Sequence, residues 1–297
     1  VELKRNIKNQ WWHDMVTNPP TGPDGREVEM VGVDCSIIMN PKVWEASGHA
    51  TGFRDPMVSC RAEGCKGLFR ADQVFHVLLR RHEGDDPFAY CSVEAGSAAD
   101  AVTNVTPKAD KLSKKHGGGR FVATAIPLLQ AAAENLAALK CPRCDTVGSL
   151  TEPRAFNLMF ETHAGALQDE ANKVYLRPET AQGIFVNFKN VLDTTRVKVP
   201  FGIAQVGKSF RNEINPRNYT FRSREFEQME LEYFIRPDEA VELITGRVAT
   251  LADNPDLSGP PQPDWGWEVW HRYWVEQRLA WYRAIGLPAE SLALYWQ

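Results

Sequence analysis

No apolar run in this 297-residue sequence approaches the roughly 20 residues needed to span a membrane, and no basic-then-apolar leader opens it. Cysteine is scarce. Six in the whole chain are too few for a disulfide scaffold, so a reducing, cytoplasmic location is the default expectation. The sequons at Asn104–Thr106 and Asn218–Thr220 then read as chance matches. An excess of positive charge is missing too: the net charge is −4, and contact with nucleic acid would need a local patch. A leading methionine is absent, and the chain opens inside a helical pattern and stops abruptly at Gln297, as a fragment would. What remains is 43% hydrophobic and 24% charged, the balance of a soluble globular protein of one large domain or two ordinary ones.

Periodicity organises the rest. Leu3, Ile7, Trp11 and Met15 predict an amphipathic helix over 1–16. Residues 17–26 are a turn-rich break, and Val28–Ile38 reads as a buried strand. A helix is expected from Ala71–Asp72, with Val74, Val77 and Leu78 inward. Residues 92–119, small and polar, suggest an exposed, mobile excursion. Its basic part, Lys108–Arg120, is usually a solvated loop, although such a patch suits a phosphate backbone. Residues 120–140 look helical again. A strand at Ala155–Phe160, an extended Val174–Leu176 and a helix over 183–192 lead to the central stretch; within 236–264 the proline- and glycine-rich run 253–264 reads as a linker or surface loop, and Trp267, Trp270, Tyr273, Trp274, Leu279 and Trp281 mark a last helix packed by its aromatics.

The centre is the stretch 200–234, two strands joined by a short loop. Gly202 to Ser209 matches the phosphate-loop pattern G-x-x-x-x-G-K-S, but Ile203, Ala204 and Val206 are strand formers and Asn215-Pro216 stops any following helix. The strand-to-helix context that makes such a loop cradle phosphates is missing. At period two, one face carries Arg222, Arg224, Phe226, Gln228, Glu230 and Glu232, while Met229, Leu231 and Tyr233 face the other way. On the first strand Gln205, Gly207, Ser209, Arg211 and Glu213 share a face, and the glycine leaves room for a ligand. If the two polar faces coincide, arginine forks suit phosphate oxygens, Phe226 offers a plate for a purine, and carboxylates suit an ammonium group. A salt-bridged sheet face is the bland alternative.

These residues carry a family resemblance. Phe210-Arg-x-Glu213 followed by Arg222-x-x-x-Phe226-x-x-x-Glu230 resembles motif 2 of class II aminoacyl-tRNA synthetases. The runs Leu176–Phe185, Gly207–Glu213 and Arg224–Glu230 are more narrowly similar to the dimeric glycyl-tRNA synthetases, and the strand ending at Pro41 with Trp44–His49 resembles that family's motif 1, a dimer interface. The resemblance covers 1–60, 66–80, 154–235 and 265–297. It implies an α+β fold, an antiparallel β-sheet flanked by helices, incomplete here because the N-terminal segment, motif 3 and the anticodon-binding domain are not in the sequence. The expected divisions are 1–59 (first part of the core), 60–144 (insertion) and 145–297 (core continued, with the hairpin at 200–234 and the terminal helix at 265–286).

The resemblance further implies ATP with Mg²⁺, glycine and tRNA(Gly) as ligands, a homodimer, and no membrane. Arg211 and Arg222 would be the catalytic arginines, on the α- and γ-phosphates. Asn212, Glu213, Phe221, Ser223, Arg224, Glu225 and Phe226 would complete the ATP site, Glu213 near the adenine amino group and Phe226 stacked on the ring. Arg70, Glu179, Phe226, Glu227, Gln228, Met229 and Glu230 would line the glycine site. From the residues themselves, Cys60-x₄-Cys65 and Cys141-x₂-Cys144 suit a closed, structural Zn²⁺ site of the zinc-knuckle kind bracketing the insertion; four ordinary reduced cysteines are the alternative. Cys35, in a strand, and Cys91, in a loop, are not expected as ligands. Two rival readings stay open: a catalytically silent, nucleic-acid-binding relative of the synthetases, and an amino-acid adenylating enzyme that does not use tRNA.

Overall fold

The computed structural model describes residues 1–22, 26–214, 216 and 221–295; the Asn218 sequon and the tip of the central hairpin loop lie outside the described residues. Among the described residues no helix is long and apolar enough to cross a membrane. The chain divides into two compact units, Val1–Ala50 with Met159–Gln297, and Thr51–Leu158.

The first unit opens with α1 (Glu2–Trp12), continued by a π-helical turn, His13–Thr17. The expected stripe is buried at its far end, Trp11 and Met15, whereas Leu3 is exposed. Strand β1 (Met30–Gly32) is shorter than the extended run around it. Helix α2 (Pro41–Ala46) starts where Asn40 accepts the Lys42 N–H (3.0 Å) and Pro41 brings a φ already suited to the first turn. A short α3 (His49–Gly52) follows.

The second unit holds two antiparallel sheets. β2 (Arg54–Ser59) is flanked by β3 (Leu68–Arg70) and, from the end of the unit, by the last strand, Arg154–Asn157. β4 (Val74–Arg80) pairs with β5 (Ala89–Glu94) on one side and with the strand after α4 (Ala98–Lys115), which is β6 (Val122–Pro127), on the other. Then come α5 (Leu128–Asn135) and β7, the Arg154–Asn157 strand.

Three expectations fail here. The run after Ala71 is a strand: Val74 to Val77 are all buried, and a strand covered on both faces loses the alternation that separates it from a helix. Residues 98–115 form a helix, not a mobile excursion; Ser97 accepts the Asp100 N–H (3.1 Å), and Ala101, Val105 and Ala109 pack at four-residue spacing on Phe75, Val77, Leu79 and Cys91. Small side chains there make a close-packed seam. The run 120–140 begins as a strand because Val122–Pro127 completes the β4 sheet. Cys91 accordingly lies in a strand, and Cys35 lies beyond the end of β1.

Returning to the first unit, β8 (Glu161–His163) and β9 (Lys173–Tyr175) pair, α6 (Ala181–Thr195) follows, and then β10 (Phe201–Phe210) and β11 (Glu225–Phe234) run antiparallel through ten consecutive pairs, Phe201↔Phe234 to Phe210↔Glu225. β1 lies parallel to β10. One face of this hairpin packs Phe201, Ile203 and Phe234 on Ile184 and Val191 of α6. The other packs Ala204, Met229 and Leu231 on Trp11, Met15 and Trp281. Burying an aliphatic or aromatic side chain of this kind contributes about 1.5–3 kcal/mol, so the hairpin is clamped from both faces. α7 (Asp238–Thr245) precedes the stretch expected as a linker, with Asp238 and Glu239 at its N-terminus and Gly246 in the left-handed conformation (φ 82°) just past its end. α8 (Trp267–Ala284) is the expected aromatic helix, and Trp281 Nε1 donates to Asp14 across to the π-helical turn (2.9 Å).

Candidate active site

The strand register brings the two polar faces together. Ser209 faces Phe226, Gly207 faces Gln228, and Gln205 faces Glu230; the Arg211 N–H donating to the Arg224 carbonyl (3.0 Å) carries the ladder one step further. The face that packs on α6 near Phe201 therefore turns polar from Gln205 outward.

Its inner end gathers carboxylates. Thr180 donates its backbone N–H to Gln228 Oε1 (3.2 Å) and its hydroxyl to Glu230, and Ser209 Oγ donates to the same Gln228 oxygen (2.8 Å). Glu179 lies 3.5 Å from His49 Nε2, whose Nδ1 is 2.9 Å from Ser47 Oγ. Burial pushes the Glu232 carboxyl above its usual range, and the charges of Glu230 and Glu179 push it further. Three carboxylates share one surroundings, and a cation there relieves their repulsion.

The outer end gathers arginines. Arg211 Nε donates to the Pro178 carbonyl (3.2 Å), and its guanidinium lies 5.3 Å from the centre of the Phe226 ring. Arg222 Nε donates to Glu213 (2.7 Å), and Arg224 Nε donates to the Glu213 carbonyl (2.8 Å). Ser223 Oγ donates to the Glu225 carbonyl (2.9 Å), while Phe221 is 87% exposed. Gly202–Lys208 is strand throughout, and Lys208 pairs with Glu225 (2.5 Å) away from the polar face; the phosphate-loop pattern is not a loop.

Two expected glycine contacts are not brought here by their side chains. Met229 sits in the core with Trp11, and Glu227 pairs with Lys4 and Lys8 (2.6 Å for Lys8), both on the opposite face because residues 227 and 229 alternate with 228 and 230. Arg70 belongs to the other unit, where its guanidinium forks onto Asp72 (2.7 and 3.1 Å) and reaches Asp55 (3.1 Å). The room expected above Gly207 is filled: a Cβ there would overlap the guanidinium of Arg177. Sequence reasoning missed that arginine. It is 2% exposed, with Nε donating to the Lys208 carbonyl (2.7 Å) and Nη1 to the Cys35 carbonyl (2.6 Å). Buried Gln205 is satisfied with its Oε1 turned toward Arg177 Nη1 (2.9 Å) and the Cys35 N–H (3.3 Å). The sequence signal for this lock was a glycine among strand formers.

In the other unit the thiols of Cys60, Cys65, Cys141 and Cys144 converge, all within 4.8 Å of one another, with Cys60–Cys144 and Cys65–Cys141 both at 3.7 Å. Backbone N–H groups of Ala62 and Arg143 point at the Cys60 and Cys141 sulfurs (3.4 Å each). Burial pushes the Cys141 thiol up to about 12, whereas hydrogen bonding with Thr146 brings Cys144 down to about 6. This cluster can hold a metal ion.

No protein-family model matches the chain. Over 99% of its length it is homologous to curated glycine–tRNA ligases: 45% identical to that of Rhodopirellula baltica and 39% to that of Thermobifida fusca, with 40% identity over the whole chain to that of Thermus thermophilus. The chain spans about half the length of these relatives, 50%, 46% and 48% respectively. Among solved structures, a threonyl-tRNA synthetase RNA-binding domain from Cryptosporidium parvum overlaps 29% of the chain and 20% of its own at 25% identity, with a TM-score of 0.22. That overlap is too slight to bear on the fold.

Proposed function

We propose that this chain is the adenylate-forming part of a glycine–tRNA ligase, joining glycine to ATP on the polar face of β10 and β11 for transfer to tRNA(Gly). The observation that carries the reading is the register itself. It sets Phe226, Gln228 and Glu230 on a single face, and just beyond the strand ends Arg211 lies beside the Phe226 ring and Arg222 bonds to Glu213, the polarity of a nucleotide followed by an ammonium group. The 45% identity to a glycine–tRNA ligase supports it independently.

In this reading Phe226 stacks on adenine and Glu213 sits near its amino group. Arg211 grips the α-phosphate and the glycine carboxylate, and Arg222 the γ-phosphate; Asn212, Phe221, Ser223, Arg224 and Glu225 complete the nucleotide site. Glu179, Gln228 and Glu230 take the glycine ammonium group, and Glu227 and Met229 hold the strand beneath them. The glycine carboxylate, already ionised, attacks the α-phosphorus; the new O–P bond forms as the bond to the bridging oxygen breaks, and pyrophosphate leaves with that electron pair. No general base is needed. The protein aligns the reactants and neutralises charge growing on phosphate oxygens, to which Mg²⁺ adds when bound. Glycine offers no side chain to grip, so selectivity rests on excluding larger ones.

The four-thiol cluster fits zinc. A tetrahedron with Zn–S bonds of about 2.3 Å has S···S edges of about 3.8 Å, close to the 3.7 Å separations of the two pairs. With four thiolates no position stays open, so the ion would be structural. A homodimer through the motif 1 region, 28–49, and a cytoplasmic location belong to the same reading on resemblance alone.

ATP–pyrophosphate exchange by the full-length enzyme with each amino acid in turn, followed by tRNA charging, tests the assignment, because a chain spanning about half the length of its relatives is not expected to complete the reaction alone. Exchange with glycine alone plus charging is expected. No exchange points to a silent nucleic-acid-binding relative, and exchange without charging points to an adenylating enzyme that does not use tRNA.

A further inference from the structure

A cleft of about 550 Å³ opens beside the start of β10, lined in part by Arg26, Arg196, Lys198, Arg236 and Tyr233. It shares no lining residue with the active site described above. Tyr233 projects from the face of β11 opposite Glu230 and Glu232, against Trp270 (ring centres 5.1 Å apart). The volume is that of a small-ligand site.

Three of the cations are presented by fixed backbone. Arg196 caps α6 in the left-handed conformation (φ 60°), its N–H donating to the Leu192 carbonyl (3.0 Å). Lys198 alternates with Val197, which is buried, so its side chain is turned outward. Arg236 follows β11 directly, next to Ile235 of the tryptophan cluster. Among the described residues Arg196, Lys198 and Arg236 make no ion pair, although Glu27 and Glu29 also line the cleft. Four cations thus outnumber two carboxylates. The Tyr233 hydroxyl is buried and has no hydrogen-bond partner among the described residues. Burial also raises its pKa, so it stays a donor. A native fold rarely leaves such a group unused.

We propose that this cleft is a second anion site, separate from the catalytic face, which takes a small ligand bearing two or more phosphate groups. Arginine forks and an ammonium group suit phosphate oxygens, and the unpartnered phenol can donate to one of them. The inference does not depend on the proposed reaction.

Calorimetric titration of the chain with inorganic pyrophosphate in magnesium-free buffer tests it. The Arg211→Ala variant should still bind one pyrophosphate; Arg196→Gln with Arg236→Gln should weaken that remaining event about tenfold or more. Tyr233→Phe should weaken it as well, without lowering thermal stability, because the lost hydroxyl has no partner. Lys198→Gln, at an exposed position, serves if the double variant folds poorly. Loss of all binding in Arg211→Ala, or unchanged binding in Tyr233→Phe and in Lys198→Gln, overturns the proposal.

Discussion

Gly207→Ala should destabilise the hairpin through one neighbour. The added Cβ would overlap the Arg177 guanidinium, with the end of the Gln205 side-chain amide 3.1 Å away. Arg177 cannot swing aside, because its Nε is bonded to the Lys208 carbonyl (2.7 Å) and its Nη1 to the Cys35 carbonyl (2.6 Å). Overpacking against a fixed group costs about 1–3 kcal/mol. With a urea slope of about 2 kcal/mol/M, the midpoint should fall by about 0.5–1.5 M. Arg177→Met removes the obstacle, at its own cost in unpaired carbonyls, so adding Gly207→Ala to that background should lower the midpoint little further. The coupling in the cycle is then about as large as the single penalty. Tryptophan fluorescence is the assay, since all nine tryptophans fall outside residues 51–158 and report on the hairpin's unit. Equal losses in both backgrounds, or none in the wild type, would refute the reasoning.

In the full-length enzyme Arg211→Ala should abolish glycine-dependent exchange, a loss of at least about 10²–10³-fold for a donor aimed at transition-state charge, with an unchanged urea midpoint; near-normal exchange sinks that role. Metal analysis of the purified protein should find about one zinc per chain, and Cys65→Ser should bring it close to none; a stable chain without metal counts against the site. Glu232→Gln should raise stability at pH 7. Its folded pKa is raised, so the ionised carboxylate opposes folding once pH rises through the folded pKa, and the advantage of the amide should vanish below the unfolded pKa, near 4.5. A thermal shift of opposite sign at neutral pH contradicts that reading.

The hairpin was legible because its signals are local. Alternation over ten residues, a glycine at the crowded position and arginines near the turn each point to the same face, and the antiparallel register then follows. β4 was not legible, since burial on both faces erases its period. α4 hid because its seam is built from alanines, which carry little hydrophobic signal although they pack closely. Arg177 had no local signature at all: its partners, the carbonyls of Cys35 and Lys208, lie 142 and 31 positions away. Glu227 and Met229 were assigned by a contiguous motif, whereas a strand sends alternate side chains to opposite faces.

The second unit begins and ends on neighbouring strands, β2 and β7, with Arg54 directly opposite Asn157. Paired residues on antiparallel strands lie about 5 Å apart, a gap that a tight turn can close. Everything between them is therefore a cassette. It can lengthen, shrink or be exchanged over evolutionary time without altering the length of any connection in the hairpin's own unit.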